Sequence, residues 1–285
     1  MLRAMASNGA RKSTVQASGL RFHVIEEGPA DGPLVLLLHG FPDTAHSWDA
    51  TRPVLAAAGY RAVSPFMRGY APSEIPADGR YDSETLGGDV LALIEALGAP
   101  RAVVVGHDWG ASAAYAAATM GPDKIERLMT IGLPHPGSIR PSPRILWSVR
   151  HFLSLRRKGA PAMVRKNDFA HVDVLVRRWS PTWDPAPAET AAVKAAFAEP
   201  GCLEAALGYY RAIGLRLPAP HRKRISVPTV SFAGADDILP TKIYDRAASW
   251  YTGGYRVVKM PGGHFMHREH PEVFHRELLA ALTPA

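Results

Sequence analysis

The sequence predicts an α/β architecture, a mostly parallel sheet interrupted late in the chain by a helical insertion. Three features point to it. Short apolar runs rich in β-branched residues alternate with helical patterns through the first 137 residues, as in sheets covered on both faces. From Ser138 to Lys223 the pattern turns helical and is broken by prolines, and strand patterning resumes at Val227. Charge changes over the same interval: Ser138 to Arg224 holds 16 Lys+Arg against 6 Asp+Glu, while the rest holds 17 against 20. The expected organisation is a core of residues 1–137 and 225–285, with a helical cap, 138–224, inserted after the sixth strand.

Taken in order, Thr14 to Glu27 alternates apolar and polar residues around Ser18-Gly19, the pattern of a β-hairpin. Ala30-Asp31-Gly32-Pro33 is a turn. Leu34-Val35-Leu36-Leu37-Leu38 is a strand apolar on both faces, ending at His39-Gly40-Phe41-Pro42. A helix is expected over Trp48 to Ala58 and a strand over Tyr60 to Ser64, before the loop Met67 to Ser73. Leu86, Val90, Leu93, Ile94 and Leu97 share one face of a helix from Ser83 to Leu97. Val103-Val104-Val105 then runs into Gly106-His107-Asp108-Trp109-Gly110, followed by an Ala-rich helix from Ser112 to Met120. Ile125 to Leu133 is the sixth strand. After the insertion come strands at Val227 to Gly234 and Tyr255 to Met260, and a closing helix from Pro271 to Leu282.

Composition narrows the class. Apolar residues make up 47% of the 285, ample for a packed interior, and no apolar run reaches the length of a membrane span. Cys202 is the only cysteine, which excludes an intramolecular disulfide and makes a reducing, cytoplasmic setting the expectation. Met1 to Thr14 carries Arg, Lys and Ser without acids and reads as a ragged N-terminus rather than an import signal. The net charge of +7 is concentrated in the insertion, where Arg150, Arg156, Arg157, Lys158, Arg165, Arg177 and Arg178 lie among apolar residues at helical spacing. No recognition motif accompanies them, so they read as a solvated cationic face and not a nucleic-acid surface. Neither nucleic acid nor membrane is expected as a partner, and the oligomeric state stays open.

Strand, tight turn and helix around Asp108 form the context of a nucleophile elbow, with Asp108 where Ser is usual. Gly106 and Gly110 suit it, because the helix must pass so close to the strand that a Cβ would clash. Two further strand ends carry reactive groups: Asp236 and Asp237 after Gly234-Ala235, and His264 after Pro261-Gly262-Gly263. Nucleophile, acid, histidine is the chain order of a hydrolase triad on such sheets, whose ligands bind beyond the carboxyl ends of the strands. By position alone either aspartate can be the acid. His264, His267 and His270 have a spacing that suits metal ligands, but Pro271 breaks the helix they would need, so no metal is expected. His107 is expected to pack beneath the elbow, and Trp179 and Trp183 to pack within the insertion.

With His39-Gly40-Phe41-Pro42, Arg68-Gly69-Tyr70, Gly106-His107-Asp108-Trp109-Gly110, Pro134-His135-Pro136, Gly234-Ala235-Asp236-Asp237 and Gly263-His264-Phe265 in place, the chain resembles the α/β-hydrolase fold epoxide hydrolases over nearly its full length. The resemblance implies a cis Phe41–Pro42 bond, and its Gly-x-x-Asp pattern selects Asp237 over Asp236. It also implies two cap tyrosines that donate hydrogen bonds to the epoxide oxygen. Leu207-Gly208-Tyr209-Tyr210-Arg211 matches one of them if Tyr210 takes the role, with Tyr209 as the fallback. The other has no match; counting back from Lys158-Gly159-Ala160-Pro161 puts His151 at that position, and an imidazole can also donate.

The expected chemistry follows from the groups. An aspartate is ionised at neutral pH and needs no base to attack a saturated carbon. His264, oriented by Asp237, then activates water against the resulting ester, with backbone N–H groups of Phe41 and Trp109 facing the oxyanion. The Phe41 and Trp109 side chains also wall the substrate pocket. The substrate is a small hydrophobic epoxide, and the scheme calls on no cofactor. A haloalkane dehalogenase is the alternative: Trp109 supplies one indole donor for a halide, but Phe41 lacks the amide often found there. Trp109 and Ser112 to Ala114 offer no arginine for a fluoroacetate carboxylate, and Asp108 disfavours a serine esterase. A non-catalytic small-ligand receptor would have little use for Asp108, Asp237 and His264 in register.

Overall fold

A computed structural model describes residues 9–214 and 216–283. In chain order the elements are β1 (Arg11–Ala17), β2 (Leu20–Glu27), β3 (Leu34–Leu38), α1 (Arg52–Ala57), β4 (Arg61–Pro65), α2 (Ser83–Ala96), β5 (Ala102–His107), α3 (Trp109–Met120) and β6 (Ile125–Ile131). Then come α4 (Pro143–Ser148), α5 (His151–Leu155), α6 (Ala160–Trp179), α7 (Pro187–Ala198) and α8 (Cys202–Arg211). The chain closes with β7 (Thr229–Gly234), α9 (Lys242–Arg246), β8 (Tyr255–Met260), α10 (Met266–Glu269) and α11 (Pro271–Leu282). The eight strands form one sheet in the order β1-β2-β4-β3-β5-β6-β7-β8. Pairings β1–β2 and β2–β4 are antiparallel and the rest are parallel.

The central strands are apolar because both faces are covered. β3 and β5 are buried along their whole length. Their side chains feed two cores: Leu36, Leu38 and Val104 on one face with α2 and α3, and Val35, Leu37 and Val105 on the other with Phe274 and Leu278 of α11. Parallel strands end together at one edge, so the segments after β3, β5, β7 and β8 gather there. Helices α4 to α8 lie between β6 and β7.

Several boundaries differ from the sequence expectations. The helix expected from Trp48 is split: a 3-10 turn at Ala45–Trp48, capped by the Thr44 hydroxyl, precedes α1, which starts where Pro53 suits a first turn. β6 stops at Ile131, where its ladders with both β5 and β7 end. β7 begins after Pro228, which has no N–H for a ladder. At the N-terminus, β1 starts at Arg11 and pairs with β2, so the ragged stretch expected to Thr14 is strand from Arg11 onward; residues 1–8 lie outside the described ones. α6 contains left-handed backbone at Asn167, Asp168 and Phe169, which divides it into two helical pieces. No described helix is long and apolar enough to cross a membrane.

One buried ion pair ties a loop to the scaffold. Arg68 donates from Nε and Nη2 to the two carboxylate oxygens of Asp89 at 2.6 and 2.8 Å, and both residues are buried. The Arg68 carbonyl in turn accepts from the Tyr209 hydroxyl of α8 at 2.8 Å. Removing the charge of Asp89 leaves a buried guanidinium without its counterion. Asp89→Asn is therefore expected to destabilise the fold by about 3–5 kcal/mol in urea unfolding; a change within experimental error would show that the exposed Asp78 carboxylate, 3.7 Å from Arg68 Nη1, takes over the pairing.

Candidate active site

Asp108 sits between β5 and α3 with φ 51 and ψ −114, a conformation that L residues rarely adopt. The surrounding chain enforces it. Asp108 N donates to Ile131 O at 3.1 Å, and Asp108 O accepts from Ser112 N at 3.0 Å as the helix starts. A Cβ on Gly106 would fall 2.4 Å from Gly110 O, and one on Gly110 would fall 2.3 Å from Leu38 O. These glycines are what let α3 pass over the ends of β5 and β3. Gly40 has the same role toward the side chain, since its Cβ would lie 2.4 Å from Asp108 Cβ.

That close approach lets Phe41 N donate to Asp108 Oδ1 at 2.9 Å. The Phe41–Pro42 bond is cis, as the resemblance implied. His39 holds the loop from beneath: its Nε2 accepts from Met67 N at 3.0 Å, which leaves Nδ1–H to donate to Gly40 O at 3.0 Å. Trp109 is the first residue of α3, so its N–H belongs to a helical turn whose donors have no intrahelical acceptor.

His264 follows β8 and reaches back over the sheet. Its main-chain N donates to Trp179 O at 2.8 Å, and its carbonyl accepts from His107 Nε2 at 3.0 Å. His107 is fully buried beneath the elbow. His264 Nδ1 lies 3.0 and 3.2 Å from the two carboxylate oxygens of Asp237, whose side chain is inaccessible to solvent; Asp236 is exposed. The opposite nitrogen, Nε2, lies 3.5 Å from Asp108 Oδ2. His267 points elsewhere, with its Nε2 against the Ser47 hydroxyl at 2.9 Å.

Electrostatics separate these groups. Burial alone pulls the His264 pKa down, but the Asp237 charge, reinforced by Asp108, outweighs it and raises the pKa to about 10. Burial pushes the Asp108 carboxyl up, and His264, its Nε2 3.5 Å away, together with the Phe41 N–H brings it below its ordinary value. His107 has no such carboxylate against it: burial and the neighbouring His264 lower it to about 3, so it stays neutral.

Helices α5 and α8 carry the remaining candidates, His151 and Tyr210. The Tyr210 ring is buried against Phe41 and Trp109, each centroid 5.2 Å away, and against Phe152 at 5.1 Å. Burial, and next the Asp108 charge, hold its hydroxyl well above the usual tyrosine pKa, so it remains a donor. Tyr209 spends its hydroxyl on Arg68 O at 2.8 Å, yet it is Tyr209, and neither Tyr210 nor His151, that is among the residues lining the cavity at Asp108. His151 is buried, 4.6 Å from the Trp179 ring and 6.1 Å from Tyr210, and its Nδ1 has no hydrogen-bond partner. Burial lowers its pKa to about 3; it is neutral and can donate a hydrogen bond but has no ready proton to give. Trp179 does more than pack within the insertion, since its ring also lies 5.4 Å from that of His264.

A cavity of about 220 Å³ opens on Asp108. Its walls are mainly apolar and come from separate segments: Trp109, Leu133, Ile139, Phe152, Ile213 and Leu217. Phe41 lies outside that lining, buried in an aromatic cluster with Tyr210 and Phe197. So its side chain backs the tyrosine instead of walling the cavity, contrary to the sequence expectation. The wall residues Leu133, Ile139, Ile213 and Leu217 were missed, because no motif marks an apolar residue in a loop as a wall.

Residues 33–271 match the family model of the α/β hydrolase fold. The chain is 29% identical to the AB hydrolase superfamily protein YfhM of Bacillus subtilis, over 96% of this chain and 99% of that one. It is 30% identical to epoxide hydrolase A of Mycobacterium tuberculosis, over 94% of this chain and 96% of that one. Among solved structures, an epoxide hydrolase from Vigna radiata aligns with a TM-score of 0.80 at 27% identity, covering 95% of this chain and 97% of the other.

If two anions hold the His264 proton, deleting one must release part of it. In Asp108→Asn the imidazole pKa is expected to fall from its raised value, read by NMR of ¹⁵N-labelled histidine; an unchanged titration would mean that Asp108 does not sense His264. In the wild type the stability that comes from this imidazolium is fully present below about 6.5 and is lost as pH rises through about 10.

Proposed function

The chain belongs to the α/β-hydrolase fold family, in its epoxide hydrolase group, and from that premise we propose that it converts epoxides to vicinal diols through a covalent ester on Asp108. The carboxylate at the nucleophile position, set between Phe41 N–H and His264, carries this reading. It is ionised and needs no base to attack, and a strained ring supplies the driving force. Residues 138–224 act as a cap over the core of 1–137 and 225–285. The apolar cavity walls favour a small hydrophobic substituent.

In the first step Asp108 Oδ2 bonds to a ring carbon, the bond from that carbon to the ring oxygen breaks, and the oxygen keeps the electron pair. Tyr210 gives that oxygen a hydrogen bond and then its proton, while neutral His151 adds a hydrogen bond. Ester formation removes one of the two anions that keep His264 protonated. Its imidazolium proton passes to the tyrosinate, and the neutral ring becomes a base at the step that needs one.

In the second step His264 Nε2 takes a proton from water, and the water oxygen bonds to Asp108 Cγ. Negative charge collects on Oδ1, facing the N–H groups of Phe41 and Trp109. The Cγ–Oδ2 bond then breaks, and Oδ2 leaves in the diol with the proton from His264. The scheme calls on no metal or organic cofactor.

One feature favours a second reading. Trp109 Nε1 is buried without a hydrogen-bond partner, as a halide donor would be, so haloalkane cleavage by the same aspartate is the runner-up. Diol and halide release measured side by side distinguish the two. Asp108→Asn is expected to lower diol formation by about 10³-fold or more, and His264→Gln to accumulate an adduct of protein plus substrate by intact mass. Tyr210→Phe is expected to lower kcat about 100-fold. Tyr209→Phe should cost about 1 kcal/mol of stability with kcat kept. Full turnover by Asp108→Asn, or no adduct on Asp108 in His264→Gln, would contradict the mechanism.

A further inference from the structure

Helices α4 and α5 form a nearly continuous amphipathic strip. Its inner side serves the molecule: Ile145, His151 and Leu155 are buried, and Phe152 walls the cavity. Its outer side carries Leu146, Trp147 and Leu153 at 61%, 68% and 69% exposure. Large apolar side chains grouped in water signal a surface that something covers. Arg150 lies in the short turn between the two helices, and Arg156 and Arg157 follow α5 directly. The Arg150 guanidinium lies 4.1 Å from the centre of the Trp147 ring.

Around these apolar groups the charge has one sign. Arg140, Arg144, Arg150, Arg156, Arg157 and Lys158 fall in a stretch, 138–167, that contains no acid. Among the described residues none of the six is paired with a carboxylate, whereas Arg165 just beyond them is held by Glu204. Exposed Leu and Trp interleaved with unpaired arginine on a surface helix have the chemistry of an interfacial element. Indole and leucine enter the boundary between headgroups and acyl chains, and the cations meet anionic lipid.

We propose that the α4–α5 strip is a docking surface for an anionic membrane, against which it lies parallel to the bilayer plane. Contact is peripheral, since no described helix can cross a bilayer. A second copy of the chain fits less well, because a two-fold pairing of this face sets cation against cation with no acid to meet them. The proposal departs from the expectation of a merely solvated cationic face. Counting charges could not show that Leu146, Trp147 and Leu153 stay outside. It stands independently of the reaction assigned to Asp108.

The test is sedimentation of the full chain with vesicles of phosphatidylcholine alone and of phosphatidylcholine mixed with phosphatidylserine, at low and high salt. Expected are binding to the phosphatidylserine vesicles, release by salt, and weak binding to the neutral ones. Trp147→Ser combined with Leu153→Ser, and separately Arg156→Glu combined with Arg157→Glu, should each weaken binding by about tenfold or more. Exposed positions should tolerate these changes, so the melting temperature is expected to stay at the wild-type value. The proposal is overturned if anionic vesicles are not bound, if both variants bind as well as wild type, or if sedimentation equilibrium finds a dimer that the Trp147/Leu153 variant dissolves while vesicles go unbound.

Discussion

The site depends on one carboxylate held in a conformation its own backbone disfavours. Asp108 has a positive φ because β5 must turn directly into α3, and the two can approach only where Gly106 and Gly110 leave out a Cβ. The turn brings the side chain beside Gly40, where a Cβ would fall 2.4 Å from Asp108 Cβ, and so within hydrogen-bonding reach of Phe41 N–H. The packed strands on both sides supply the stability that keeps the turn from relaxing. Three loops at the same edge of the sheet then meet around a single anion.

Charge at that edge is assigned by burial and by who faces whom. Burial penalises the cationic form of every enclosed histidine. His39 is pushed down to about 4, His107 and His151 to about 3, and His267 well below its ordinary value. Only His264 goes up, because Asp237 and Asp108 flank its two nitrogens. The neutrality of His107 matters for this arrangement. Its ring lies 4.8 Å from that of His264 and its N–H holds the His264 carbonyl, so it orients the loop without adding a second positive charge.

Much of this was legible in the residues. Apolar runs gave the strands, and the pentapeptide around Asp108 gave the elbow with its glycines. His264 and Asp237 fall at strand ends in the expected order, and the structure sets Asp108 and Asp237 at opposite nitrogens of His264. The sequence could not decide between Asp236 and Asp237 by position, since one residue changes the direction of a side chain without changing the pattern. Asp89 was legible but overlooked: it lies between Leu86 and Val90 on the apolar face of α2, and a carboxylate there requires a buried cation, which Arg68 provides. The cavity walls and the outward-facing Leu146, Trp147 and Leu153 were not legible, because both depend on how loops and short helices pack in space. Helix boundaries near Trp48 shifted for a local reason, the proline at Pro53.

A covalent bond between Asp108 and substrate carbon makes a claim about oxygen atoms that no other step shares. Wild-type protein in molar excess over a terminal aryl epoxide, allowed one turnover in ¹⁸O-water, gives the direct measurement. The heavy oxygen is expected in the Asp108 carboxylate, by mass spectrometry of the peptide that contains it, with unlabelled oxygen added to the first diol. Label in that first diol with an unlabelled Asp108 peptide would mean that water attacks the epoxide itself, and the ester would have no place in the reaction.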